Sequence, residues 1–340
     1  MTAYAFWNNK GEVGKSFLCF VAASEYAHLY PETDVYVIDL CPQANVSETL
    51  LVQPEIIRSL MNRKPRATVA GYLEARLNSP FRMIKDVSPY VCRPSEFNDN
   101  LPENLLLVCG DNFLEIISEA IRQISQLTIP IDTWQQVLNW VRDLMVGLRE
   151  NSGNRDAIFI IDCNPSFAIY TQLALVAAEN VVVPFTSDDS SRRAIENVVA
   201  LLYGYGTSDS KIRTYANISF SKKAKSQGVN IPKLHTFVSN RATRYMAKAS
   251  REAVSTTIKE TMDQLHKKHR QIYANPKERP SQNFIEIPDY HSACVVASTT
   301  GTPLYELKPG PRDFLGKQIQ LKREPLEQYR EALAKFVSCL

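Results

Sequence analysis

Lys10-Gly11-Glu12-Val13-Gly14-Lys15-Ser16 lies between a short apolar run at residues 3–7, broken by Asn8 and Asn9, and a mostly apolar stretch at 17–29 that reads as a helix. Strand, glycine loop and helix in that order are what a phosphate-binding loop requires. The glycines let backbone N–H groups turn inward around phosphate oxygens, and the helix adds the positive end of its dipole. Lys15 is placed to neutralise β- and γ-phosphate charge, and the Ser16 hydroxyl to ligate Mg²⁺. Gly11, Glu12, Val13, Gly14, Lys15, Ser16 and Phe17 are therefore the candidate contacts for ATP in this segment.

Outward from the loop, apolar runs at 35–40, 104–109, 157–162 and 181–185 alternate with helical stretches at 112–127, 133–150 and 168–178. Near-continuous apolar strands of this kind belong to a parallel sheet covered on both faces. The expected fold class is α/β: a mostly parallel twisted sheet with helices on both faces, of the P-loop NTPase type. Residues 203–235 read as loop and edge structure, followed by a short strand at 235–239 and a long helical pattern at 242–273. A connector with Pro276 and Pro280, a last strand at 284–287 and a helix near 324–338 complete the chain. With no internal repeat and no clean boundary, 1–340 is expected to form a single domain with a basic elaboration at about 205–280.

The net charge of +3 hides a strong asymmetry. Residues 211–280 hold 16 Lys/Arg and 4 Asp/Glu, whereas the other 270 residues hold 23 and 32. A basic segment on an acidic body implies a polyanionic partner. Lys222, Lys223 and Lys225 form one cluster; Arg244, Lys248, Arg251 and Lys259 fall roughly along one helical face; Lys267, Lys268 and Arg270 follow. Val254, Ile258, Met262 and Leu265 make the adjoining apolar stripe. Aromatic residues are sparse among these cations, which favours backbone contacts on double-stranded DNA over base stacking on single strands. The seven cysteines form no C-x-x-C pair, so neither a zinc site nor a disulfide framework is expected, and a reduced, cytoplasmic setting fits. No apolar run is long enough to span a membrane. The stripe Leu326, Tyr329, Leu333, Phe336 and Val337 carries a mixed polar face without cationic excess, so it is expected to dock on the core rather than on lipid.

The loop departs from the general G-x-x-x-x-G-K-[ST] pattern, because position 9 is Asn and a lysine stands at position 10. K-G-x-V-G-K-S resembles the deviant Walker A motif of the ParA/MinD family, closer to its ParA-type partition ATPases. The resemblance implies that Lys10 reaches across an ATP-sandwich homodimer to the partner's nucleotide, a catalytic role alongside Lys15 and Asp39. Further matches recur in order. Val-Ile-Asp39-Leu-Cys41-Pro42-Gln43-Ala-Asn45 is similar to the family's D-x-D-P-Q-x-N, and Asp162-Cys-Asn-Pro165-Ser to its D-C-P-P-S. By this resemblance Asp39 lies next to the metal, and Asp162 holds Mg²⁺ through water. Ile287-Pro288-Asp289, Ala297 and Gly301-Thr-Pro303 resemble the segment near the adenine, with Asn240 at a base-contacting position. The resemblance also implies a nucleoid-associated protein that binds DNA without sequence preference, through Lys222, Lys223, Lys225, Arg244, Lys248, Arg251, Lys267 and Lys268, and answers to a ParB-like adaptor.

Two departures bear on chemistry. Glu12 stands where the family has Gly, putting a carboxylate beside triphosphate on a backbone position better suited to glycine. Cys41 stands where the family has the Asp that orients the attacking water, and a neutral thiol is a poor substitute. Slow, partner-stimulated hydrolysis is the expectation. Two alternatives stay open: a MinD-like membrane-associated positioning ATPase, and a nucleotide-binding scaffold with little turnover.

Overall fold

The computed structural model describes residues 1–186, 189–205, 211, 220–242, 248–314 and 317–340; within these, the side chains at 189, 241, 242, 248–254, 283, 314 and 317 lie outside the description. Seven strands form one sheet: β1 Thr2–Phe6, β2 Thr33–Leu40, β3 Leu105–Val108, β4 Asp156–Cys163, β5 Asn180–Thr186, β6 Lys233–Ala242 and β7 Phe284–Pro288. Their order is β3-β2-β4-β1-β5-β6-β7, and every neighbouring pair is parallel. Parallel pairing forces each connection to cross back over a face, so helices cover the sheet and all strand ends of one kind share one edge.

The period-2 geometry of β1 divides the core. Ala3, Ala5 and Trp7 enter the cluster on one face, while Tyr4 and Phe6 enter the other. On the second face lie helix α1, Lys15–Leu29, and the C-terminal helix, Arg323–Val337. Leu326, Tyr329, Leu333, Phe336 and Val337 of that C-terminal helix are all buried, and the Phe336 ring meets Phe6 edge-on with centroids 6.0 Å apart. Burial of such side chains contributes about 1.5–3 kcal/mol each, so the amphipathic stripe is docked on the core, as its mixed polar face implied. No helix among the described residues is long and apolar enough to cross a membrane.

Several boundaries differ from the sequence reading. Residues 45–78 hold three helices, α2 Asn45–Leu51, α3 Pro54–Asn62 and α4 Val69–Asn78, whose apolar spacing is too short and interrupted to stand out alone. Beyond α5, Phe113–Ser125, the stretch 133–150 is two helices, α6 Thr133–Leu138 and α7 Trp140–Asn151. They break at Asn139, whose side chain bonds back to the Gln135 carbonyl (2.8 Å). Helices α8, Ile169–Ala177, and α9, Asp189–Tyr203, follow β4 and β5. The expected loop at 203–235 contains a short helix, α10 Ser221–Ser226, and the long basic helix α11 is described over Lys248–Lys268, ending before the expected 273, with residues 243–247 outside the description. Ile258, Met262 and Leu265 of α11 are buried, which accounts for its orientation. After β7 come α12, His291–Thr300, and an antiparallel hairpin, β8 Gly310–Phe314 with β9 Lys317–Leu321; the C-terminal helix is α13.

Candidate nucleotide site

The carboxyl tips of β1, β2 and β4 are held in register, with Phe6 opposite Asp162 and Asp162 opposite Asp39. Three loops thus leave the sheet side by side and enclose a cleft of about 430 Å³. Gly11, Glu12, Gly14, Lys15, Ser16 and Phe17 form one wall; Cys41, Gln43 and Asn45, with Cys163 and Pro165, form the other.

The loop is held from beneath. Asn8, fully buried, donates to the Pro184 carbonyl (2.8 Å) and accepts from the Lys10 N–H (3.0 Å). Gly14 has φ +81° and caps α1 without any side-chain acceptor, so the first N–H groups of the helix face the cleft. A Cβ at Gly14 would stand 2.1 Å from Asn240 Nδ2, so glycine is required here on two counts. Glu12 does adopt a left-handed backbone, φ +59°, at a strain of about 1–2 kcal/mol relative to glycine. Lys15 is buried; its ammonium donates to the Lys10 carbonyl (3.1 Å), and burial lowers its pKa.

The two aspartates differ. Asp39 Oδ1 accepts from the Cys41 N–H (3.0 Å), and its Oδ2 from the Ser47 N–H (3.2 Å) and hydroxyl (2.7 Å). Asp162 is equally buried, yet among the described residues neither of its oxygens has a well-formed hydrogen bond; the Ser16 hydroxyl and the Cys19 thiol lie close by. Burial pushes both pKa values up, most for Asp162, where the nearby charge of Asp39 adds to it and Ser16 and Lys15 only partly offset it. An orphaned buried carboxylate beside a serine hydroxyl is a hard-oxygen donor set suited to Mg²⁺. Cys41 is buried, and its thiol is pushed up to about 12, so it is protonated and no general base.

Other expected residues take different positions. Lys10 donates to Thr186 (3.0 Å) and Ser190 (2.7 Å) of its own chain, at the tip of β5 and the start of α9. Asn240, buried at the tip of β6, donates to the Val13 carbonyl (3.0 Å), a contact that supports the loop. Pro288 and Asp289, at the end of β7, are not among the described residues lining the cleft. Among the basic residues, Lys222, Lys267 and Lys268 are exposed. Lys223 instead sits 4.8 Å over the Trp134 ring, and Lys225 bonds the Tyr205 hydroxyl (3.2 Å). Lys259 lies over Phe284 and near Glu286 (3.6 Å). Arg244 falls outside the described residues, as do the side chains of Lys248 and Arg251. Ser47, Thr186, Ser190 and Asn8 escaped the sequence reading. Only Asn8 carried a signal there, as a polar residue ending an apolar strand directly before the glycine loop.

The chain matches a family model described as an AAA domain over residues 1–205. No curated protein sequence matches it. Among solved structures it is similar to apo McdA of Cyanothece, at 16% identity over 98% of this chain and 99% of that one, with a TM-score of 0.57. The ATP complex of a McdA variant from the same organism gives 16% identity, coverage of 98% and 96%, and a TM-score of 0.58. A Borrelia burgdorferi protein described as a plasmid partition protein, bound to AMPPNP, gives 14%, 100% and 99%, and 0.55. The fold of these neighbours, the family match and the deviant loop agree: the chain belongs to the AAA-domain family, as a P-loop ATPase of the ParA/MinD group.

Proposed function

We propose that this protein is a ParA-like, ATP-controlled switch that binds MgATP in the cleft, pairs as an ATP-sandwich homodimer, and in that state holds double-stranded DNA without sequence preference to position or segregate DNA or another cargo. The observation that carries the reading is the meeting of the Lys15 ammonium and the uncapped mouth of α1 in one cleft, with the buried Asp162 carboxyl close behind Ser16 and Lys15. Ser16 and Asp162 would hold Mg²⁺, Asp162 through water, and the ion would supply charge on the β- and γ-phosphate oxygens. Asp39 would act from behind, keeping the 41–47 loop in place through its three donors.

Lys10 would exchange its contacts with Thr186 and Ser190 for the partner's nucleotide on dimerisation. Hydrolysis is slow on this reading because position 41 offers a neutral thiol, and a ParB-like adaptor would accelerate it. DNA contact is supported by a second groove of about 400 Å³ where Lys267 at the end of α11 and Arg270 just beyond it meet Lys277 and Arg279, with Asp263 the one acidic residue among its lining. Nucleoid association would follow. The MinD-like alternative loses support from the docked α13; the low-turnover scaffold is favoured by Cys41. The test is DNA retention of the full chain with MgATP, with MgADP and without nucleotide, across a salt series. Retention that needs ATP and falls steeply with salt is expected; equal retention in all three states would refute the switch.

A further inference from the structure

Position 164 is a further departure beside those at 12 and 41: Asn stands where D-C-P-P-S has its first proline. It faces the departure at position 41 directly. The Asn164 amide nitrogen lies 4.0 Å from Cys41 Sγ, a long and weak contact, and meets no other acceptor among the described residues. Its Oδ1 accepts from the Ser166 N–H (2.9 Å), which fixes the orientation of the carboxamide and turns its N–H groups toward position 41. Cys41 lines the cleft, as do Cys163 and Pro165 on either side of Asn164 in the chain. Where a carboxylate would present an acceptor, this pair presents a thiol and, beside it, an amide donor with capacity to spare.

We infer that Asn164 is a catalytic residue of ATP hydrolysis, donating from Nδ2 to an oxygen of the γ-phosphoryl group as charge develops there. The inference rests on the proposed binding of MgATP in this cleft. In the step it serves, the water oxygen bonds to the γ-phosphorus while the bond to the β–γ bridging oxygen breaks, and ADP leaves with that electron pair. With no carboxylate at position 41, a water proton passes to a γ-phosphoryl oxygen, giving dihydrogen phosphate. Stabilisation by a fixed donor, rather than deprotonation of water, then carries the rate.

The test is single-turnover hydrolysis of γ-labelled MgATP by the full chain, with MgATP affinity and melting temperature measured on the same samples. Asn164→Ala and the isosteric Asn164→Asp both remove the donor. Each is expected to slow the step by about 10- to 100-fold, and Asn164→Ala to leave affinity within about twofold. The inference is overturned if both Asn164 variants turn over at the wild-type rate, if rate and affinity fall together in Asn164→Ala, or if wild type is no faster than Lys15→Ala. A wild-type chain that binds no MgATP overturns the proposed function as well. Retained binding with an indifferent Asn164 overturns this inference alone.

Discussion

The tips of β2 and β4 lie side by side, with Asp39 and Asp162 in register, yet they are wired in opposite ways. Asp39 is saturated by three donors from its own loop. Asp162, buried to the same degree, has no well-formed hydrogen bond among the described residues, with the Ser16 hydroxyl and the Cys19 thiol close by. A buried acid that the fold has satisfied organises the chain, whereas one left unsatisfied is a standing cost that a ligand must offset. One tip therefore builds the cleft, and the other is the place we propose for Mg²⁺.

The comparison can be broken most forcefully at Asp39. Replacing it by alanine orphans two N–H groups and a hydroxyl, and should destabilise the fold by about 3 kcal/mol or more in urea unfolding. An unchanged midpoint would mean the loop does not depend on it. Asp162→Asn should act with the opposite sign on stability, raising the melting temperature of the nucleotide-free chain at neutral pH, because the cost of burying an acid that is ionised when unfolded is removed. The same change should weaken MgATP binding by about 100-fold, roughly 2.7 kcal/mol, in calorimetric titration. Loss of stability together with intact binding would reverse the assignment of the two acids.

Glu12→Gly tests the glycine-loop wall of the cleft. Relief of its left-handed backbone should add about 1 kcal/mol of stability, and removal of its carboxylate should tighten ATP several-fold. The smallest effect is expected on the basic flank. Lys222→Ala should weaken DNA retention only a few-fold and reduce the salt slope by about one, and Lys223→Ala less than that, because the Lys223 cation already lies on Trp134. Equal losses at the two positions would show that the ring contact does not hold Lys223 back.

The same contrast explains what the sequence disclosed. The 10–16 loop was legible because phosphate binding imposes spacing along the chain itself: glycine, lysine and serine must follow one another between strand and helix. The parallel strands were legible because burial on both faces leaves uninterrupted apolar runs. The β1 tip was therefore readable residue by residue. Ser47, Thr186 and Ser190 were not, because each meets its partner from a distant segment and a lone hydroxyl has no periodicity. Asn240 was placed by resemblance, but its bond to the Val13 carbonyl emerges only when β6 packs at the loop. The lysines of α10 were counted correctly as charge, yet charge counting is blind to the aromatic rings on which Lys223 and Lys225 rest. The helices at 45–78 were missed because their short apolar faces make sense only in the fold, where α2 packs on α1 and α3 on α2 at one face of the sheet and α4 packs on α5 and β2 at the other.

The central claim is that nucleotide in this cleft switches the chain between assemblies, with Lys10 freed from Thr186 and Ser190 to serve a partner. Light-scattering mass of the full chain with MgATP and with MgADP, for wild type and Lys10→Ala, tests it most directly. The account predicts a dimer for wild type with MgATP alone, and a monomer in the other three conditions. A mass indifferent to the nucleotide, or a dimer that persists in Lys10→Ala, would contradict it.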